Sequence, residues 1–187
     1  MTTLRSLCKA AAVVAAGVAG STSVQAQTSF VSFLNGAQEA PTPVVTPAFG
    51  NGTVLLNAAQ NQITINLRFE GLLAGVTVAH IHNGAVGVGG PVILDILGLI
   101  DFSARDLTAG TIFNRILTVT PMQANVLLAG NGYFNIHTSR NPGGEIRGQI
   151  NVVPEPSTYL LMATGLGGLM LVARRRRTHA VSRENRR

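Results

Sequence analysis

The run Ile63-Thr64-Ile65-Asn66-Leu67-Arg68-Phe69-Glu70 alternates strictly between apolar and polar residues. Successive side chains of a strand point to opposite faces, so Ile63, Ile65, Leu67 and Phe69 share one face and their polar neighbours the other. A helix, with its longer period, would scatter the same residues around its circumference. One buried face and one wet face is the pattern of a strand in an antiparallel sheet. Comparable short runs lie at Ser29–Leu34, Gly52–Asn57, Val76–His82, Val92–Leu97, Thr111–Val119, Tyr133–Thr138 and Glu145–Val152. Turn-forming residues separate many of them: Asn51-Gly52, Gly71, Gly89-Gly90-Pro91 and Asn141-Pro142-Gly143-Gly144. This spacing predicts an all-β sandwich or small barrel. A single short helix is expected from Pro121 to Ala129. Thr120 stands at its N-cap, Pro121 at N1 and Gln123 at N3, and Gly130 is placed to end it.

The two ends read differently from this middle. Arg5 and Lys9 precede a mildly apolar stretch from Ala10 to Gly20, and Val24-Gln25-Ala26 has small or compact residues where signal peptidase inspects a substrate. Residues 1–26 are therefore expected to be a secretory signal peptide cut after Ala26. Cys8 is the only cysteine, so its removal excludes disulfides, thiolate metal sites and cysteine nucleophiles from the exported protein. At the other end, Val153-Pro154-Glu155-Pro156 leads into the apolar segment 157–173, then Arg174, Arg175, Arg176 and Arg177. Seventeen residues stand at the short end of the roughly 17–25 that a membrane-spanning helix uses. Arginines beside it can snorkel to the interface and favour a cytoplasmic C-terminus. The expected order is then signal peptide 1–26, β domain 27–152, sorting segment 153–177 with a transmembrane helix at 157–173, and a basic cytoplasmic tail 178–187.

The formal charge of +6 comes from these ends. Between Gln27 and Val153 the basic residues are Arg68, Arg105, Arg115, Arg140 and Arg147, against Glu39, Glu70, Asp95, Asp101, Asp106 and Glu145. A near-neutral domain gives no electrostatic footprint for nucleic acid.

Three histidines fall in the middle domain, in His80-Ile81-His82 and Asn135-Ile136-His137-Thr138. Residues two apart on a strand share a face, with Cα atoms roughly 6.5–7 Å apart. Two imidazoles so placed can converge on one metal ion, and a third from a neighbouring strand completes a nitrogen set suited to copper or zinc. The alternative is structural. Val76 and Val78 share the face of His80 and His82, so the pair can equally continue a core-facing stripe, its rings hydrogen-bonded to loop backbone. Glu39, Glu145 and Arg147 are candidates for ion pairs that set loop positions. The glycines of Asn83–Gly90 lead through Pro91 into a strand rather than a helix, which fits a flexible turn and not a phosphate loop. No serine–histidine–acid triad and no close acid pair points to hydrolysis.

Two resemblances emerge from these segments. The Pro154-Glu155-Pro156 triplet, apolar run and arginine cluster resemble a PEP-CTERM sorting segment of Gram-negative exported proteins, from Val153 to Arg177. That resemblance implies processing by a membrane-embedded exosortase, a transient stay in the inner membrane, and release to the envelope, cell surface or extracellular matrix. The chain departs from it in continuing for Thr178–Arg187 beyond the arginines; a chain left uncut would stay anchored in the inner membrane. The middle resembles a CHRD (chordin-like) domain from about Phe30 to Val152. The resemblance is carried by Phe33-Leu34-Asn35-Gly36-Ala37-Gln38-Glu39-Ala40-Pro41, Ala79-His80-Ile81-His82-Asn83-Gly84, Gly132–Thr138 and Asn141–Ile150. It implies an immunoglobulin-like antiparallel sandwich distantly similar to copper-zinc superoxide dismutase. Three candidate ligands and no disulfide depart from what a working dismutase needs, so that catalysis is not expected. The expected function is a noncatalytic surface or matrix module meeting a protein, glycan or matrix component. The alternative is a copper or zinc protein of the envelope using His80, His82 and His137.

Overall fold

The computed structural model describes residues 26–103, 106–154 and 161–170. Among the described residues ten strands form one antiparallel sheet, with order β5-β4-β8-β9-β1-β2-β3-β7-β6 and β10 paired to β1. The strands are β1 Thr28–Asn35, β2 Phe49–Leu56, β3 Gln62–Glu70, β4 Val76–Asn83, β5 Val92–Asp95, β6 Asp101–Ser103, β7 Asp106–Thr118, β8 Gly132–Thr138, β9 Ile146–Gln149 and β10 Asn151–Val152.

The alternating run is β3, and Ile63, Ile65, Leu67 and Phe69 all bury in the core. Facing them across the interior stand Ala79 and Ile81 of β4, Phe134 and Ile136 of β8, and Ile146 of β9. Gly52 on β2 allows this approach: a Cβ there would lie 3.0 Å from Phe134 and 3.1 Å from Leu67. The arrangement is sandwich-like, but the two layers are not separate sheets as in the expected immunoglobulin-like form. β1 joins them, pairing with β2 along its whole length and with β9 at Asn35↔Arg147. The sheet thus curls over on itself.

Sequence boundaries shift in a few places. The expected strand at Val92–Leu97 ends at Asp95, whose Oδ1 accepts from Leu97 N at 2.9 Å and starts a 3-10 turn over Leu97–Leu99. The expected strand Glu145–Val152 is split at Ile150, whose N–H donates to Gly132 O at 2.9 Å while β10 passes to β1. The helix α1 (Pro121–Leu128) carries the expected capping box between Thr120 and Gln123. Exposed ion pairs, Arg68–Glu70 at 2.9 Å and Arg115–Asp101 at 3.1 Å, sit on the wet face and contribute little.

The folded domain runs up to the expected sorting segment without a spacer. Val152 pairs with Phe30, and Val153 N–H donates to Ser29 O at 2.8 Å. Residues 161–170 are helical and exposed. Among the described residues no helix is long and apolar enough to cross a membrane. The rest of the expected span, the signal peptide before Ala26, Glu155, Pro156 and Arg174–Arg177 lie outside the described residues.

Candidate metal centre

β4 delivers its two histidines to the face opposite the apolar core. Ala79 and Ile81 are fully buried inside, which turns His80 and His82 outward by strand alternation. The expected stripe from Val76 through the histidines is broken. A register shift lies between Val76 and Val78, and Val76 packs against the core. β8 does the same service for His137, because Phe134 and Ile136 point inward. Pairing of β4 with β8, including Val78↔His137 and His80↔Asn135, brings the three rings together. Ring centroids lie 5.3 Å apart for His80–His137, 5.4 Å for His80–His82 and 5.8 Å for His82–His137.

One ring nitrogen of each histidine lies within 4.8 Å of the others. The buried nitrogens left without a hydrogen-bond partner are His80 Nδ1, His82 Nε2 and His137 Nε2. The remaining nitrogens of the two deeper rings are held by backbone: His82 Nδ1 at 2.9 Å from Gly90 O, and His137 Nδ1 at 2.9 Å from Pro142 O. A carbonyl oxygen only accepts, so each Nδ1 carries the proton and each Nε2 keeps a lone pair. Backbone carbonyls fixing the outer nitrogen are the usual outer support of a metal-binding imidazole. Points at most 4.8 Å apart can all lie within about 2.8 Å of a common centre. A contraction of under an ångström then reaches the about 2.0–2.1 Å of a zinc–imidazole bond. The donor set and the orphaned nitrogens fit a copper or zinc ion.

Around the histidines is a polar layer on the same outward face of β4, β8 and β9. The Tyr133 ring stacks on His82 at 5.0 Å, and the Arg147 guanidinium lies 3.6 Å over Tyr133. Arg147 also donates to Ala85 O at 2.8 Å, and Gln149 donates to Gly84 O at 3.0 Å and Gly130 O at 2.8 Å. Gly90 N donates to the Tyr133 hydroxyl at 3.0 Å. The Asn83–Gly90 loop, expected only as a flexible turn, therefore roofs this layer. Glu145 fixes the neighbouring loops through hydrogen bonds rather than an ion pair: Oε1 accepts from Thr46 Oγ1 and Leu73 N at 2.7 Å, and Oε2 from Thr138 Oγ1 at 2.7 Å. Burial opposes its ionisation, but these bonds and one from Asn141 hold the carboxyl below its ordinary value.

Burial leaves the two deep imidazoles neutral. Desolvation pushes His82 and His137 below the usual histidine value, and the neighbouring rings lower both further against hydrogen bonds to Gly90 and Pro142 that raise them. Neutral imidazole is the form that ligates metal. Glu39 is buried beside Asn135 and Arg147, and burial pushes its carboxyl up to about 7 although the Arg147 charge opposes it. Its Oε1 and Asn135 Oδ1 have no partner. Gly144, at φ +126, makes room for both: a Cβ there would lie 2.5 Å from Asn135 Oδ1 and 2.7 Å from Glu39 Oε1. The sequence named Glu39 and Arg147 only as loop-setting ions. Gln149 and the roof carbonyls were missed. Polar residues alternating with buried apolar ones in Tyr133–Thr138 and Glu145–Gln149 were the available signal.

Comparison with protein families finds a CHRD domain over residues 30–150 and a PEP-CTERM protein-sorting motif over residues 152–177. No curated protein and no solved structure matches the chain.

Proposed function

We propose, from the premise that the chain belongs to the CHRD domain family, that it is an exported, noncatalytic surface or matrix module that binds one copper or zinc ion through His80, His82 and His137. The observation that carries the reading is the set of three buried imidazole nitrogens without partners. A buried acceptor left unmatched costs free energy, about 1–3 kcal/mol in typical proteins, and a metal ion satisfies three at once. When bound, it supplies a positive centre that ties β4 to β8. The chain's own residues hold the rings: Gly90 and Pro142 fix their orientation, and Tyr133 stacks against His82.

The PEP-CTERM motif supports export and sorting by an exosortase-type system to the envelope, cell surface or matrix. We place signal-peptidase cleavage after Ala26 and exosortase processing at Pro154-Glu155-Pro156, with Arg174, Arg175, Arg176 and Arg177 as the cytoplasmic flank and 157–173 as a transient span of the inner membrane.

Calorimetric titration of the purified protein with Cu(II) and Zn(II), beside a His80→Ala/His82→Ala variant, tests the centre. Saturable binding by the parent and its loss in the variant are expected; identical behaviour of the two would remove the site.

A second reading has its own observation. On the wet face of β1, β2, β3 and β7, the exposed rings of Phe33 and Phe113 help line a cavity of about 560 Å³ with Asn51, Asn66 and Arg68. Aromatic walls over hydrogen-bonding side chains suit a protein or glycan partner.

A further inference from the structure

We propose that the three-histidine centre keeps a fourth coordination position open on its His80 side and takes a small inorganic anion there. The inference rests on the metal reading and names what that metal would meet.

Among the described residues, no fourth histidine, cysteine or carboxylate joins the cluster. Copper and zinc sites with three protein nitrogens leave a position for an external group. Nearby polar side chains are directed elsewhere, Asn135 among them: it is the Cα partner of His80 on β8, and its Oδ1 lies with Glu39 Oε1 against Gly144. The Tyr133 hydroxyl is engaged by Gly90 N at 3.0 Å. Asp95 is the Cα partner of His80 on the edge strand, but it is exposed and its Oδ1 accepts from Leu97 N at 2.9 Å. Both oxygens of Glu145 are taken by loop donors, and Glu39 Oε1, without a partner, lies beside Asn135 Oδ1 against Gly144.

Access is one-sided. His82 and His137 are buried under the Gly90 and Pro142 loops; His80 is half-buried, with its Nδ1 covered. A ligand entering beside His80 must be small.

Charge selects its sign. A divalent ion held by three neutral rings keeps its full charge, whereas Arg147, 2% exposed, already has the Glu39 carboxyl beside it. Uncompensated positive charge in a partly dry site draws an anion, because interaction energies grow as the effective dielectric falls.

Azide is the probe. The purified protein is loaded with one equivalent of Cu(II), freed of excess metal, and titrated with sodium azide while its absorption and electron paramagnetic resonance spectra are followed. A new azide-to-copper charge-transfer band that saturates at one azide per copper, with copper still bound, is expected. Unchanged spectra in large azide excess, with copper retained, would overturn the open position and leave the metal reading standing. Failure of the parent protein to take up copper or zinc would overturn both.

Discussion

His82 Nδ1 lies 2.9 Å from the carbonyl oxygen of Gly90, so a glycine-rich loop sets the proton position of a buried ring. His137 stands in the same relation to Pro142, also at 2.9 Å. Two independent loops thus leave two Nε2 lone pairs unmatched in the cluster that includes His80. Long-range ¹⁵N correlation spectra of the metal-free protein at neutral pH should show the Nδ1–H tautomer for both residues. An Nε2–H tautomer at either would contradict the orientation argued for that ring.

Glu39 should make stability depend on pH in a direction opposite to the histidines. Its carboxyl is raised from 4.5 to about 7 on folding, so between those values the folded state holds a proton that the unfolded state has released. Stability from this group is complete below 4.5 and falls as pH rises through about 7, by about 3 kcal/mol in all. His82 and His137 are lowered from 6.5, so their contribution is present above 6.5 and is lost as pH falls below it. Denaturant unfolding of the parent and of Glu39→Gln across pH 4 to 9 isolates the first effect. The variant should gain on the parent as pH rises; a constant difference would place Glu39 in a wetter setting.

Gly144→Ala should destabilise the domain by about 1–3 kcal/mol, from crowding and from a left-handed backbone. Its Cβ would strike the Asn135 amide and the Glu39 carboxylate. Gly98, with nothing within 4 Å of a built Cβ, serves as the control, and Gly98→Ala should stay within about 0.5 kcal/mol. Equal melting temperatures for the two variants would argue against close packing of the polar layer.

Replacing Pro154-Glu155-Pro156 with alanines should hold the protein in the inner membrane, seen by fractionation and by mass. The folded domain closes at Val153, bonded to Ser29 O at 2.8 Å, so the triplet can be changed with no loss of domain stability. Normal release of the alanine variant would remove the sorting role of the triplet.

Much of the apolar architecture was legible in the sequence, because it obeys one period. Ile63, Ile65, Leu67 and Phe69 bury as their alternation requires, and Thr120 and Gln123 cap the helix as their spacing requires. The face of β4 was not legible. In Val76–Asn83 both alternating sets contain apolar residues, and the shift between Val76 and Val78 changes which set faces inward. Joining of the layers through β1 depends on the Asn35↔Arg147 pair, a contact far apart in sequence that no local pattern encodes. The three histidines were legible as candidates from composition and strand spacing. Their support was not, because Gly90 and Pro142 act through backbone carbonyls, which leave no mark on residue type. Glu39 reaches Asn135 and Arg147 only after the segment following β1 folds over β9.

X-ray absorption at the copper or zinc edge of the metal-loaded protein tests the central claim most directly. The account predicts three imidazole nitrogens at about 2.0–2.1 Å, with the multiple-scattering pattern of histidine rings, and its loss when His80 and His82 are replaced by alanine. A first shell of oxygen alone, or one unchanged by that double replacement, would contradict it.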